Sequence, residues 1–122
     1  MLNLNSIMVG TMQPKVLGEF YAGVFGKPAD MSEGEWFGWM VGNAFFSVGQ
    51  HSEATGSAKD PARIMFNLET ADVKQEFERI KALGTTVIKE PYEAEGHAGI
   101  WIATLADPDG NYFQLMSPWS EK

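Results

Sequence analysis

Ala106-Asp107-Pro108-Asp109-Gly110-Asn111-Tyr112-Phe113-Gln114-Leu115-Met116 reads as a tight turn that feeds a strand. Pro108 presets one backbone angle, Gly110 supplies a positive one, and the Asp107 side chain is placed to bond back to the turn amides. Beyond the turn, Phe113 and Leu115 point one way while Tyr112, Gln114 and Met116 point the other. One face of the strand is therefore wholly apolar. Residues 100–105 supply the other arm of a hairpin, with Thr104 opposite Gln114 and Ile102 on the same face.

Working outward, the same order of elements occurs twice. In the C-terminal half, residues 63–68 read as a strand and 72–83 as a helix with Val73, Phe77, Ile80 and Leu83 on one stripe. Asp72 with Gln75 approximates a capping box, and Gly84 follows the helix end. Residues 85–89 read as a strand stopped by Pro91. In the N-terminal half, residues 5–10 read as a strand and 14–25 as a helix, opened by Pro14 and closed by Gly26. Val16, Phe20 and Val24, with Leu17, Tyr21 and Phe25 beside them, give that helix one wide apolar face. Residues 36–41 and 44–49 form a hairpin around Gly42-Asn43. Residues 53–62 are small and polar and read as a linker. Ser6 to Arg63 spans 57 positions, Gly26 to Gly84 spans 58, and Ser47 to Gln114 spans 67. The longer last spacing places an insertion at residues 90–99. A unit of this size cannot bury both faces of its sheet. The expectation is an α+β fold over residues 1–122, with module 1 at about 1–52 and module 2 at about 63–122. Its two βαβββ modules form a curved mixed eight-stranded half-barrel, with helices on the convex face and an open cleft on the concave one.

The chain has 122 residues, is 44% hydrophobic and carries a formal net charge of −7. That charge disfavours nucleic acid and anionic membranes, which require clustered Lys and Arg, and mildly favours neutral or cationic ligands. With no cysteine, disulfides, thiolate nucleophiles and Cys-bound zinc are excluded. No basic region followed by an apolar run opens the chain, and no apolar segment is long enough to span a bilayer. The expected location is cytoplasmic.

Three segments carry a resemblance. They are Glu19-Phe20-Tyr21-Ala22-Gly23-Val24-Phe25-Gly26, Phe77-Glu78-Arg79-Ile80-Lys81-Ala82-Leu83-Gly84 and Asp107-Pro108-Asp109-Gly110-Asn111. In this order and at duplicated spacing, they resemble the vicinal oxygen chelate superfamily, which includes glyoxalase I, extradiol dioxygenases, fosfomycin-resistance enzymes and bleomycin-binding proteins. The resemblance covers nearly the whole chain. It implies the fold, and it implies a homodimer, since many relatives complete their clefts across a dimer interface. Metal-dependent members hold a divalent ion with four cleft residues, usually His, Gln or Glu, on the first and last strands of each half. The matching positions here are Ser6, Ser47, Arg63 and Gln114. Two hydroxyls lack the charge to hold a divalent ion, and Arg63 repels one. The expectation is no metal site and no cofactor. His51 and His97 fall in loops.

Strand alternation gives the cleft lining. Ser47, Phe45, Tyr112, Gln114 and Met116 face the cleft, as do Arg63, Met65 and Asn67, and Ser6 and Met8. Met40 opposes Phe45, Gly38 opposes Ser47, and Trp36 joins the same face. Ile7, Val9, Phe46, Val48, Ile64, Phe66, Leu68, Phe113 and Leu115 form the core. The ligand-binding candidates are Trp36, Phe45, Ser47, Arg63, Asn67, Thr104, Tyr112 and Gln114. Aromatic walls with sparse polar anchors describe a small-molecule pocket, and methionine suits an adaptable one.

The residues and the resemblance together point to metal-independent binding of a small aromatic or amphipathic molecule, as in the bleomycin-binding relatives, with no catalytic residue assigned. The enzymatic alternative is a glyoxalase-type lyase or a dioxygenase acting with a divalent metal, or with metal-free acid and base groups such as Tyr112, His97 or a glutamate. No Ser-His-Asp order, phosphate loop or zinc signature is present.

Overall fold

The computed structural model describes residues 1–119; the last three residues of the expected second module, 120–122, lie outside the described residues. The elements run β1 (Ser6–Thr11), α1 (Pro14–Phe25), β2 (Met31–Glu33), β3 (Trp36–Val41), β4 (Ala44–Gln50), β5 (Phe66–Glu69), α2 (Val73–Lys81), β6 (Thr86–Glu93), β7 (Trp101–Ala106) and β8 (Tyr112–Met116). The fold is α+β, and βαβββ occurs twice, as expected. The chain divides into two compact units, Met1–Gly56 and Ser57–Lys122. Each holds a four-stranded mixed sheet and one helix.

In the first unit the strand order is β1-β4-β3-β2, with β1 parallel to β4 and the other pairs antiparallel. Helix α1 starts at Pro14 and ends where Gly26 turns left-handed at φ 74°, a conformation that costs glycine little. It buries Leu17, Tyr21 and Val24 against the β3 and β4 residues that face it. Tyr21 lies 4.8 Å from Phe46, and Phe25 lies 5.5 Å from Trp39. The buried Trp39 indole N–H donates to the Lys27 carbonyl at 3.1 Å, which satisfies the one polar group on that side chain. Val16 departs from the expected apolar face and is exposed. Strand β2 has no counterpart in the sequence pattern, because three residues are too few to show alternation.

In the second unit the order is β5-β8-β7-β6, with β5 parallel to β8. Helix α2 is capped by the Asp72 carboxylate, which accepts from the Gln75 N–H at 3.0 Å. Val73, Phe77 and Ile80 are buried, while Leu83 lies past the helix end and is exposed. The Lys74 ammonium stands 3.8 Å over the Trp101 ring, so Trp101 faces the helix. The opening stretch is a closed knot of hydrogen bonds. The Asp107 N–H donates to the Asn111 carbonyl at 2.9 Å, and the Gly110 N–H donates to the Asp107 carbonyl at 2.8 Å. The Asp107 carboxylate accepts from the Asp109 and Asn111 N–H groups at 2.9 and 3.0 Å and from the Asn111 side-chain amide at 2.9 Å.

Two expectations in this unit are corrected. The strand expected at 63–68 begins at Phe66. The Arg63 N–H instead donates to the Asp60 carbonyl at 3.0 Å, and its guanidinium pairs with the Asp60 carboxylate at 2.9 Å. This local turn holds residues 60–63 out of the ladder. Ile64, expected in the core, is therefore 82% exposed. Pro91 does not stop β6, which runs on to Glu93. Strand β6 is an edge strand, and its register shifts between Lys89 and Tyr92, the two settings in which a strand accommodates a residue without an N–H.

Candidate functional site

On the face of the first sheet turned away from α1, the expected pairings are present. Met40 lies opposite Phe45, Gly38 opposite Ser47, and Trp36 opposite Gly49. Trp36 and Phe45 are half-buried, stacked with ring centroids 5.9 Å apart at 30°. The glycines make this arrangement possible. A Cβ on Gly49 would lie 2.8 Å from Trp36 Cδ1, and one on Gly38 would lie 3.1 Å from Trp36 Cη2 and 2.9 Å from Phe45 Cε2. The 2.8 and 2.9 Å contacts are closer than real Cβ atoms come, and the 3.1 Å contact is tight. The indole therefore lies flat along the floor formed by Gly49 and Gly38, with Phe45 beside it. Ser47 is buried in the same floor. Met8 on β1, Met31 on β2 and Met40 on β3 share this face and are each about half exposed.

Strand β2 fixes the position of Glu33, which the sequence sets near Trp36, where it could meet a cation, but which reads as part of a solvated loop. Glu33 pairs across the β2–β3 hairpin with Trp36, so its side chain stands on the same face as the indole. The only signal for this hairpin was Gly34, which has φ 59°. Behind β3, Asp30 clips the incoming loop to the sheet. Its N–H donates to the Gly38 carbonyl at 2.8 Å, and its carboxylate accepts from the Met40 N–H at 2.8 Å and from Lys27 at 2.9 Å. The Met40 N–H, and secondarily Lys27, holds the Asp30 carboxyl below its ordinary value.

In the second sheet, Asn67 is the register partner of Gln114, and Gln114 that of Thr104. The Gln114 amide donates to the Thr104 hydroxyl at 3.2 Å. Tyr112 and Met116 lie on the same face by alternation. This is a row of neutral amide and hydroxyl groups. Arg63, the remaining candidate, stands in the turn before β5 and is held by Asp60; the structure removes it from the strand set.

The register also corrects the equivalence of the modules. Met8 lies opposite Ser47 on the parallel pair of the first unit, and Asn67 lies opposite Gln114 on that of the second. Met8 therefore corresponds to Asn67, and neither Ser6 nor Arg63 belongs to the set. The donors at these positions are a thioether, a hydroxyl and two amides. Such a set offers no anionic or imidazole ligand and does not fit the divalent ion of metal-dependent members. Among the described residues, no three His, Asp or Glu side chains are grouped to hold a metal.

A separate groove of about 350 Å³ lies between α1 and β3 on the opposite side of the first sheet, lined chiefly by Gly18, Ala22, Pro28, Phe37 and Trp39. Gly18 brings the helix against Phe37, where a Cβ would lie 2.9 Å from Cδ2. No helix is long and apolar enough to cross a membrane among the described residues.

A family model described as a glyoxalase-like domain matches residues 6–116. No curated protein sequence matches the chain. Among solved structures, the chain is similar to a glyoxalase-related enzyme from Fulvimarina pelagi, with a TM-score of 0.79 and 15% identity over 97% of this chain and 89% of that one. It is similar to a glyoxalase/bleomycin resistance protein from Albidiferax ferrireducens T118, with a TM-score of 0.75 and 18% identity over 93% and 98%. It is also similar to the fosfomycin resistance protein FosX from Listeria monocytogenes, with a TM-score of 0.70 and 15% identity over 97% and 93%. Identities of this size carry the fold and nothing finer.

Proposed function

Starting from the premise that the chain belongs to the glyoxalase-like domain family, within the vicinal oxygen chelate superfamily, we propose that it binds a small aromatic or amphipathic molecule without a metal ion. The observation that carries this reading is the Trp36–Phe45 pair laid flat over Gly38 and Gly49. The two glycines leave the stacked rings half-open on the sheet, where a side chain at either position would displace them. Their flat, solvent-facing surface is suited to a planar molecule. Three methionines on the same face supply flexible thioether contacts that adapt to the outline of a ligand. Ser47 contributes a hydroxyl near the floor.

The neutral donor set Met8, Ser47, Asn67 and Gln114 supports binding over metal-assisted chemistry. On the face of the first sheet Glu33 of β2 is the one ionisable strand residue, and His51, just past β4, lies against Gly10 of β1 at the opposite edge, so the two are not paired as acid and base. In the second unit, taken by itself, the row of Asn67, Thr104, Tyr112 and Gln114 is proposed as ligand-binding, with its amides and hydroxyls as hydrogen-bonding groups. A homodimer is proposed as well. Leu2 and Leu4 just before β1 in the first unit and, separately, Ile64 just before β5 in the second are more than four-fifths exposed, apolar side chains that a second copy would cover. A cytoplasmic location is proposed with the homodimer.

Calorimetric titration of planar aromatic compounds into the protein and into Trp36→Ala tests the reading. Stacking on the indole contributes about 0.5–2 kcal/mol, so the variant is expected to bind about 2- to 30-fold more weakly. Affinity indifferent to Trp36 would contradict the proposal.

A further inference from the structure

We propose that Glu33 makes the Trp36–Phe45 face selective for planar ligands that carry a positive charge. The inference rests on the binding reading above and specifies its ligand class.

Three observations converge. The β2–β3 hairpin sets Glu33 directly across from Trp36. Cross-strand neighbours have their Cβ atoms about 5 Å apart, so the Glu33 and Trp36 side chains leave the same face of the sheet side by side. Secondly, every other strand residue on this face is glycine, serine, methionine or aromatic, so Glu33 is the one charged strand residue on the face that holds the stacked rings. Among the described residues it is in no ion pair; the salt bridge of this unit joins Lys27 to Asp30. Thirdly, the unit Met1–Gly56 carries only two lysines and no arginine against five carboxylates. Lys15 belongs to α1 and lines the groove on the opposite side of the sheet, and Lys27 is held by Asp30. Neither lysine of this unit is therefore placed to neutralise Glu33 or to attract an anion to the rings, and His51 lies at the opposite edge of the face, against Gly10 of β1.

The chemistry follows from these placements. A flat cation on the indole is attracted by the negative π-face and by the carboxylate on the same face of the sheet. A neutral ring of the same shape keeps only the stacking, and an anionic one is repelled. Together the two attractions favour the cation by about tenfold over its neutral counterpart, with Glu33 supplying about three- to fivefold of that at low salt.

The test compares N-methylacridinium with acridine, at mildly alkaline pH where acridine is uncharged, against the full chain and against Glu33→Gln and Glu33→Lys. Glu33 is exposed, and unchanged urea midpoints establish that the variants fold. The expected result is tighter binding of N-methylacridinium. Glu33→Gln narrows that preference and weakens its salt dependence, and Glu33→Lys removes it, while acridine affinity stays constant throughout. Equal binding of both dyes, or a cation preference untouched by either substitution, overturns the assignment of Glu33 and leaves the binding reading standing. Failure of both dyes to bind, or binding unaffected by Trp36→Ala, removes the binding reading itself and this inference with it.

Discussion

Replacing Asp107 by alanine should destabilise the protein more than any other change in the turn that closes β7 onto β8. The Asp107 side chain is buried, at 4% exposure, and its carboxylate accepts from the backbone N–H groups of Asp109 and Asn111 and from the Asn111 amide. Hydrogen bonds to a charged acceptor contribute about 1.5–3 kcal/mol each, and removing the acceptor leaves its donors unsatisfied. Three such donors share one carboxylate and do not add independently. The expected loss is about 3–5 kcal/mol, a large part of the roughly 5–15 kcal/mol that holds a small domain together. Asp107→Asn keeps one oxygen acceptor and should lose about half as much. Asn111→Ala removes only a side-chain donor and should lose about 1 kcal/mol. Urea unfolding followed by far-UV circular dichroism reads the series as a shift in midpoint at constant slope. A loss below about 1 kcal/mol for Asp107→Ala would refute the view that this side chain, rather than Pro108 and Gly110 alone, fixes the hairpin.

Gly38→Ala should displace Phe45 and tilt Trp36 from the sheet, because the added Cβ would meet Phe45 Cε2 at 2.9 Å and Trp36 Cη2 at 3.1 Å. The expected cost is about 1–2 kcal/mol of stability, with a changed near-UV circular dichroism band; an unaltered band would contradict the flat placement of the indole. Asp30 makes a testable acid dependence. Its carboxyl is held below its ordinary value by the Met40 N–H and Lys27, so its stabilising effect is complete above the unfolded-state pKa and fades as pH falls through the lower folded-state value. Across that acid window, wild type should lose stability that Asp30→Asn never had, as measured by urea midpoints at a series of pH values.

The parts of the fold carried by strong local signals were legible from sequence. Pro14 and Gly26 bracket α1 at the expected residues, and the Gly42-Asn43 turn fixed the register that puts Met40 opposite Phe45. Alternation then placed Trp36, Phe45 and Ser47 on one face, and Thr104, Tyr112 and Gln114 on another. The misplacements arose where a side chain or a sheet edge overrode the pattern. Asp60 captured Arg63 in a turn, which moved the start of β5 and removed Arg63 from the candidate set. Pro91 was accommodated because β6 lies at an edge. Glu33, with Glu35, stands near Trp36 in the sequence and could meet a cation there, but it reads as part of a solvated loop because its strand has only three residues and shows no period. The flatness of Trp36 against Gly38 and Gly49 is a tertiary contact that no spacing rule encodes.

The most direct measurement is the affinity of N-methylacridinium for protein dialysed against a strong chelator, compared with the same protein after a divalent ion is returned. A dissociation constant unchanged by chelator or by added metal, and weakened by Trp36→Ala, is expected. Binding that vanishes on chelation and returns with the ion would contradict the central claim that the aromatic face works without one.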